Sequence, residues 1–203
     1  MNLFFLLISV ILISFSGILT PGPMFAITIA KGYKNRNAGA VIALGHGIIE
    51  VPLMILIYLG FLKYFNTDII RISIGITGGL LLIYMGLEIY RARIDISFEN
   101  KKLSYNILIA GILTTIANPY FFIWWITIGT TLILNFGRYG IPGFILFIIC
   151  HWLCDLLWYW FVSIVTFKSK SFLNNKTLKI IFRICSIILI IYGLWFIVSV
   201  FMR

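Results

Sequence analysis

Residues 38–62 read AGAVIALGHGIIEVPLMILIYLGFL, and this stretch decides the class of fold. It is long and apolar enough to cross a bilayer, which takes about 20 residues as helix. Yet it carries His46 and, four residues on, Glu50. An ionised acid near the bilayer centre costs roughly 2.5–3.5 kcal/mol even on lenient insertion scales. The same arrangement returns as His151-Trp-Leu-Cys-Asp155 in a second apolar stretch. Two costly pairs of equal spacing predict a polar path through a membrane protein.

Composition agrees. Of 203 residues, 62% are hydrophobic and 11% are charged, with a mean hydropathy of +1.08. A soluble domain carries about 25% charge. The net charge of +10 lies in short basic clusters between apolar runs, the pattern of topology signals and not of a nucleic-acid face. Cys150, Cys154 and Cys185 all fall in apolar runs and suggest no disulfide framework. The first apolar run follows Met1-Asn2 without a basic residue or a cleavage site, so it reads as a span and not a leader.

The chain is therefore expected to be an all-α polytopic membrane protein with six transmembrane helices: about Leu3–Ala30, Ala38–Leu62, Ile69–Tyr90, Tyr105–Leu134, Tyr139–Phe167 and Thr177–Phe201. A polar linker, residues 94–104, divides residues 1–93 from residues 105–203. The halves look like copies. Gly17-Ile-Leu-Thr20 recurs as Gly111-Ile-Leu-Thr114, His46/Glu50 as His151/Asp155, and Ile83-Tyr-Met-Gly-Leu87 as Ile191-Tyr-Gly-Leu194. A three-span unit flips each time it repeats, so the expectation is two inverted three-helix repeats. Twelve Lys and Arg, from Lys31 to Arg183, fall beside the first, third and fifth connections, against Lys63, Arg71, Arg138 and Arg203 opposite. Both termini are then expected outside the cytoplasm.

The first and fourth spans are expected to break at prolines. One holds Thr20-Pro21-Gly22-Pro23 and the other Asn118-Pro119. Each interior proline costs about 3 kcal/mol in a helix. Unwound backbone at membrane depth survives only beside protein or a wet cavity. Pro23 and Pro119 can each begin a second half-helix whose free N–H groups attract an anion. The plain alternative is a proline kink, which the paired occurrence disfavours.

Positions four apart share a helix face, so His46 can meet Glu50 and His151 can meet Asp155. Such pairs can exchange a proton near neutral pH; the plain alternative is a structural polar clasp. Pro52 is expected to bend its helix near Glu50, and Glu88 reads as an interfacial ion pair with Arg91. Trp124 and Trp125 follow the second break and either pack or line a cavity, where an ammonium could meet their faces. Gly39, Gly45, Gly75, Gly78, Gly79 and Gly86 read as close-approach positions, with the stretch from Gly75 to Gly79 a candidate homodimer face.

Leu19-Thr-Pro-Gly-Pro23, the basic loop Lys31–Gly39, Ala43-Leu-Gly45 with an acid following at Glu50, and Asn118-Pro119 together resemble the LysE/RhtB family of amino-acid exporters. The resemblance implies a six-span inner-membrane (plasma-membrane) exporter of amino acids or similar small zwitterions, driven by the proton gradient. It implies a lipid bilayer and a small solute as partners, and no cofactor beyond a coupling proton. The family often has Asp where this chain has Glu50. The expected substrate and translocation residues are Thr20, Pro21, Gly22, Pro23, His46, Glu50, Asn118, Pro119, Trp124, Trp125, His151 and Asp155. The alternative is a divalent-metal exporter with His46, Glu50, His151 and Asp155 as ligands and Cys150 and Cys154 nearby. An enzyme is not expected, since neither His-Glu-x-x-His nor Gly-x-Ser-x-Gly occurs.

Overall fold

A computed structural model describes residues 3–19, 22–60, 68–91, 106–169 and 175–202. Helix is the only regular structure among them. In chain order these are α1 (Leu3–Ile18), α2 (Pro23–Gly32), α3 (Ala38–Tyr58), α4 (Asp68–Arg91), α5 (Ile107–Ile116) and α6 (Pro119–Trp124). A π-helical turn (Trp125–Gly129), α7 (Thr130–Gly137), α8 (Gly140–Ser169) and α9 (Asn175–Phe201) follow. A helix satisfies its own backbone, the condition for crossing lipid.

Four stretches among the described residues are long and apolar enough to span: Ala38–Tyr58, Tyr120–Gly137, Gly140–Ser169 and Lys179–Val198. Their outer faces are apolar. Ile145, Ile149, Leu153, Leu157 and Phe161 form an exposed stripe along α8, and Ile180, Ile184, Ile187, Ile191 and Leu194 form one along α9. A face of that kind suits lipid and not water, and the chain is a multi-pass membrane protein.

Small residues let the helices approach. A Cβ at Gly45 on α3 would overlap the Leu108 carbonyl of α5, and one at Gly111 on α5 would overlap the Ile42 carbonyl of α3. On α4 the Gly75–Gly79 stripe is covered within the chain. Gly75 meets Val200, Gly78 meets Ala117, and Gly79 meets Gly193 of α9. The candidate dimer face is thus spent on packing α4 against α9 and the α5 terminus.

Backbone interruptions occur near both proline motifs. α1 ends at Ile18, Gly22 is extended (φ −139°, ψ −171°), and α2 starts at Pro23. Thr20 and Pro21 lie outside the described residues. α5 ends at Ile116, and α6 starts at Pro119 after an extended Asn118. Each starting proline sits where its missing N–H would be unpaired anyway. Pro52, by contrast, lies inside α3, which continues to Tyr58. The side chain of Glu88 lies outside the described residues.

Two departures from the sequence reading stand out. The stretch after the second break is not plain helix, because residues Trp125–Gly129 form a π turn. Gly129 leaves room there for the Trp125 ring, and the Thr130 hydroxyl donates to the Trp125 carbonyl at 2.8 Å. Lys31, expected in a basic loop, instead lies in the last turn of α2 and is buried. A cation there faces the negative end of the helix.

The apolar core falls into two clusters. Ile42 and Ala43 of α3 and Tyr159 of α8 belong to one; Leu53 and Met54 of α3 and Phe144 and Phe147 of α8 belong to the other. His46, Glu50, His151 and Asp155 lie between them on the same two helices, so the polar groups occupy the seam between two dry regions.

Candidate functional site

Glu50 sits at the centre of that seam. Its Oε1 is 2.9 Å from His46 Nε2, one turn earlier on α3, and 3.3 Å from His151 Nε2 on α8. His151 Nε2 is also 3.6 Å from Asp155 Oδ2, beyond hydrogen-bond reach. All four side chains are buried. The expected pairing within each helix is a hydrogen bond for His46 and Glu50 and a looser ion-pair contact for His151 and Asp155, and His151 comes closer still to the acid of the other half. Each polar helix had to bury its charge, and one carboxylate serves both imidazoles.

The remaining ring nitrogens are held by hydroxyls. His46 Nδ1 is 2.8 Å from Thr115 Oγ1 on α5, and His151 Nδ1 is 2.7 Å from Ser14 Oγ on α1. The half-helices before the two breaks thus clamp the two histidines, each from the opposite half of the chain. Thr115 fixes a tautomer as well. Its hydroxyl oxygen is 2.8 Å from the Gly111 carbonyl, which can only accept. Its one proton goes there, so Thr115 accepts from His46 Nδ1–H. The Nε2 edge of His46 then faces Glu50 with one proton to share between nitrogen and oxygen.

Two carboxylate oxygens, Glu50 Oε2 and Asp155 Oδ2, are buried without a hydrogen-bond partner among the described residues. Leaving a buried charged acceptor unpaired costs at least about 1–3 kcal/mol. Glu50 and Asp155 line a cavity of about 100 Å³ together with Met24, Trp124 and Tyr159. That is room for about three waters at ~30 Å³ each. Drug-sized ligands occupy about 300–1,000 Å³.

The family model for LysE type translocators matches residues 15–200. The chain belongs to the LysE type translocator family. It is thus a transporter that moves a small solute across a lipid bilayer, and not an enzyme. No curated protein and no solved structure matches it. Both breaks and all four ionisable residues of the seam lie inside the matched LysE region.

The fold brings His46, Glu50, Asn118, Trp124, Trp125, His151 and Asp155 to one cavity. Gly22 and Pro23 form the start of α2, whose Met24 joins the lining. Pro119 contributes its backbone as the first residue of α6. The Trp pair encloses His151. Trp124 stacks on its ring at 5.4 Å between centroids, and Trp125 meets it edge-on at 5.1 Å. The two half-helix starts differ. Asn118 accepts the Tyr120 N–H at 3.1 Å and caps α6, whereas Gly22 gives α2 no side-chain cap. Cys154 Sγ donates to the Cys150 carbonyl of its own helix at 3.2 Å, and neither cysteine lines the cavity.

Ser14, Met24, Thr115 and Tyr159 escaped the sequence reading. Ser14 and Thr115 are lone hydroxyls in apolar runs, a signal shared by residues that merely bond their own helix. Thr114 does so, donating to the Ala110 carbonyl at 2.6 Å.

Proposed function

We propose that this translocator exports an amino acid or a similar small zwitterion in exchange for protons, by alternating access between two inverted three-helix repeats. The observation that carries this reading is the pairing of two orphaned carboxylate oxygens, on Glu50 and Asp155, with the uncapped start of α2 around one cavity. An ammonium group is met by the carboxylates. A carboxylate group is met by the free N–H groups at the α2 start, helped by the helix dipole.

The coupling proton is held between His46 Nε2 and Glu50 Oε1. Arrival of the cargo's ammonium at Glu50 displaces it, so proton and cargo alternate at one site. Rocking of one half against the other gives the cavity access to each side of the membrane in turn. The cytoplasmic side is that of the connections near Arg36 and Lys168, with both termini outside, and the membrane is the cell membrane.

Proteoliposomes loaded with a mixture of labelled amino acids test the reading. An imposed pH gradient is expected to drive out one or a few of them. Release at equal rates with and without the gradient, or no release of any amino acid, would refute it.

A further inference from the structure

We infer that His46, Glu50 and Asp155, with His151 beside them, form a binding site for a divalent transition-metal ion of the zinc class. The ion would occupy the atoms that the proposed mechanism gives to the coupling proton and the cargo's ammonium, so it binds in their place and not beside them.

One nitrogen or oxygen from each of His46, Glu50 and Asp155 lies within 4.8 Å of the others. The separations around Glu50 Oε1 and His151 Nε2 are 2.9, 3.3 and 3.6 Å. A tetrahedral zinc ion with bonds of about 2.0–2.2 Å has ligand-to-ligand edges of about 3.3–3.6 Å. The three donors of His46, Glu50 and Asp155 thus already lie within a few ångströms of one another, a spread that modest side-chain shifts could close around one ion. The cavity, about 100 Å³, suits an ion with a water or two.

Three features point to a metal and not merely to a polar clasp. Glu50 and Asp155 are 1% and 2% exposed, and each carries an oxygen without a hydrogen-bond partner among the described residues. Two carboxylates match the charge of a dication. A histidine that binds metal through one nitrogen usually gives its other N–H to a neighbouring oxygen. Thr115 accepts the Nδ1 proton of His46, which directs Nε2 at the acid. Ser14 Oγ lies 2.7 Å from Nδ1 of His151. The outer support of a metal ligand is thus built at His46. The mutually close donors include no sulfur, so the donor set is nitrogen and oxygen only.

The test is titration of the purified full-length protein in detergent with cobalt(II), followed by zinc competition. The expected result is one cobalt per chain, with the visible absorption of a four-coordinate nitrogen and oxygen site and no thiolate charge-transfer band. Glu50→Gln and Asp155→Asn should each remove it. Thr115→Val should weaken binding about 10–100-fold, and Thr115→Ser should restore it. If Glu50→Gln does not fold, the Thr115 pair decides. Binding well below one per chain, a thiolate band, or one affinity across wild type, Thr115→Val and Thr115→Ser would overturn the inference.

Discussion

Glu50 on α3 and His151 on α8 stand 101 positions apart in the chain, and their side chains lie 3.3 Å apart in the seam. A contact between the two halves therefore runs through the only carboxylate that both histidines reach among the described residues. Movement of α8 relative to α3 must lengthen or break it, which ties the charge state of Glu50 to the arrangement of the halves.

Glu50→Gln is expected to stop export while the protein still inserts and purifies as a single species. The amide keeps the shape and can still accept from an imidazole, but it carries neither the charge nor the exchangeable proton. Efflux from proteoliposomes, with size-exclusion profiles as the control, checks this. Wild-type export by the variant would remove Glu50 from the mechanism.

Trp125 is 1% exposed and packs against both Phe147 and His151. Trp125→Ala should lower stability by about 3–5 kcal/mol, the usual cost of emptying a buried aromatic site. A thermal-melting comparison in detergent would register it, and an unchanged midpoint would contradict the packing.

Gly111→Val should separate α5 from α3, because its first side-chain carbon would overlap the Ile42 backbone. Backbone cannot move aside as a side chain can, so the loss should reach at least the roughly 1–3 kcal/mol of an overpacked core. Gly17→Ala is the contrast, since its added carbon would meet Trp124 at an ordinary 3.5 Å. Folding yields of the two variants should differ clearly, and equal yields would argue against the close crossing.

Asn118→Ala removes the side chain that caps α6. Loss of a helix cap costs about 0.5–2 kcal/mol. The variant should melt earlier than wild type, and Asn118→Asp should recover most of the difference because a carboxylate caps as well. A failure of Asp to rescue would point to a second role for the amide.

Orientation is open to chemical labelling. In a variant lacking Cys150, Cys154 and Cys185, Arg36→Cys should react with an impermeant thiol reagent only from the cytoplasmic side. Arg138→Cys should react only from outside. Both positions are exposed. The reverse pattern would place the termini in the cytoplasm.

The sequence by itself determined that this chain lives in lipid, that helices begin at Pro23 and Pro119, and that acids at 50 and 155 need company. Those conclusions follow from local chemistry: apolar length, proline's missing donor and the cost of charge in hydrocarbon. Spacing along a helix also placed His46 against Glu50, because four residues make one turn. Only the tertiary structure decided that His151 reaches past its own Asp155 to Glu50, that Ser14 and Thr115 hold the imidazoles, and that the Gly75–Gly79 stripe packs inward. It alone revealed the π turn at Trp125, which depends on a glycine making room for a ring and a threonine bonding five residues back. The π turn apart, whose partners lie within five residues, these contacts depend on which helix faces which and at what rotation, and a residue's neighbours in the chain carry no record of either.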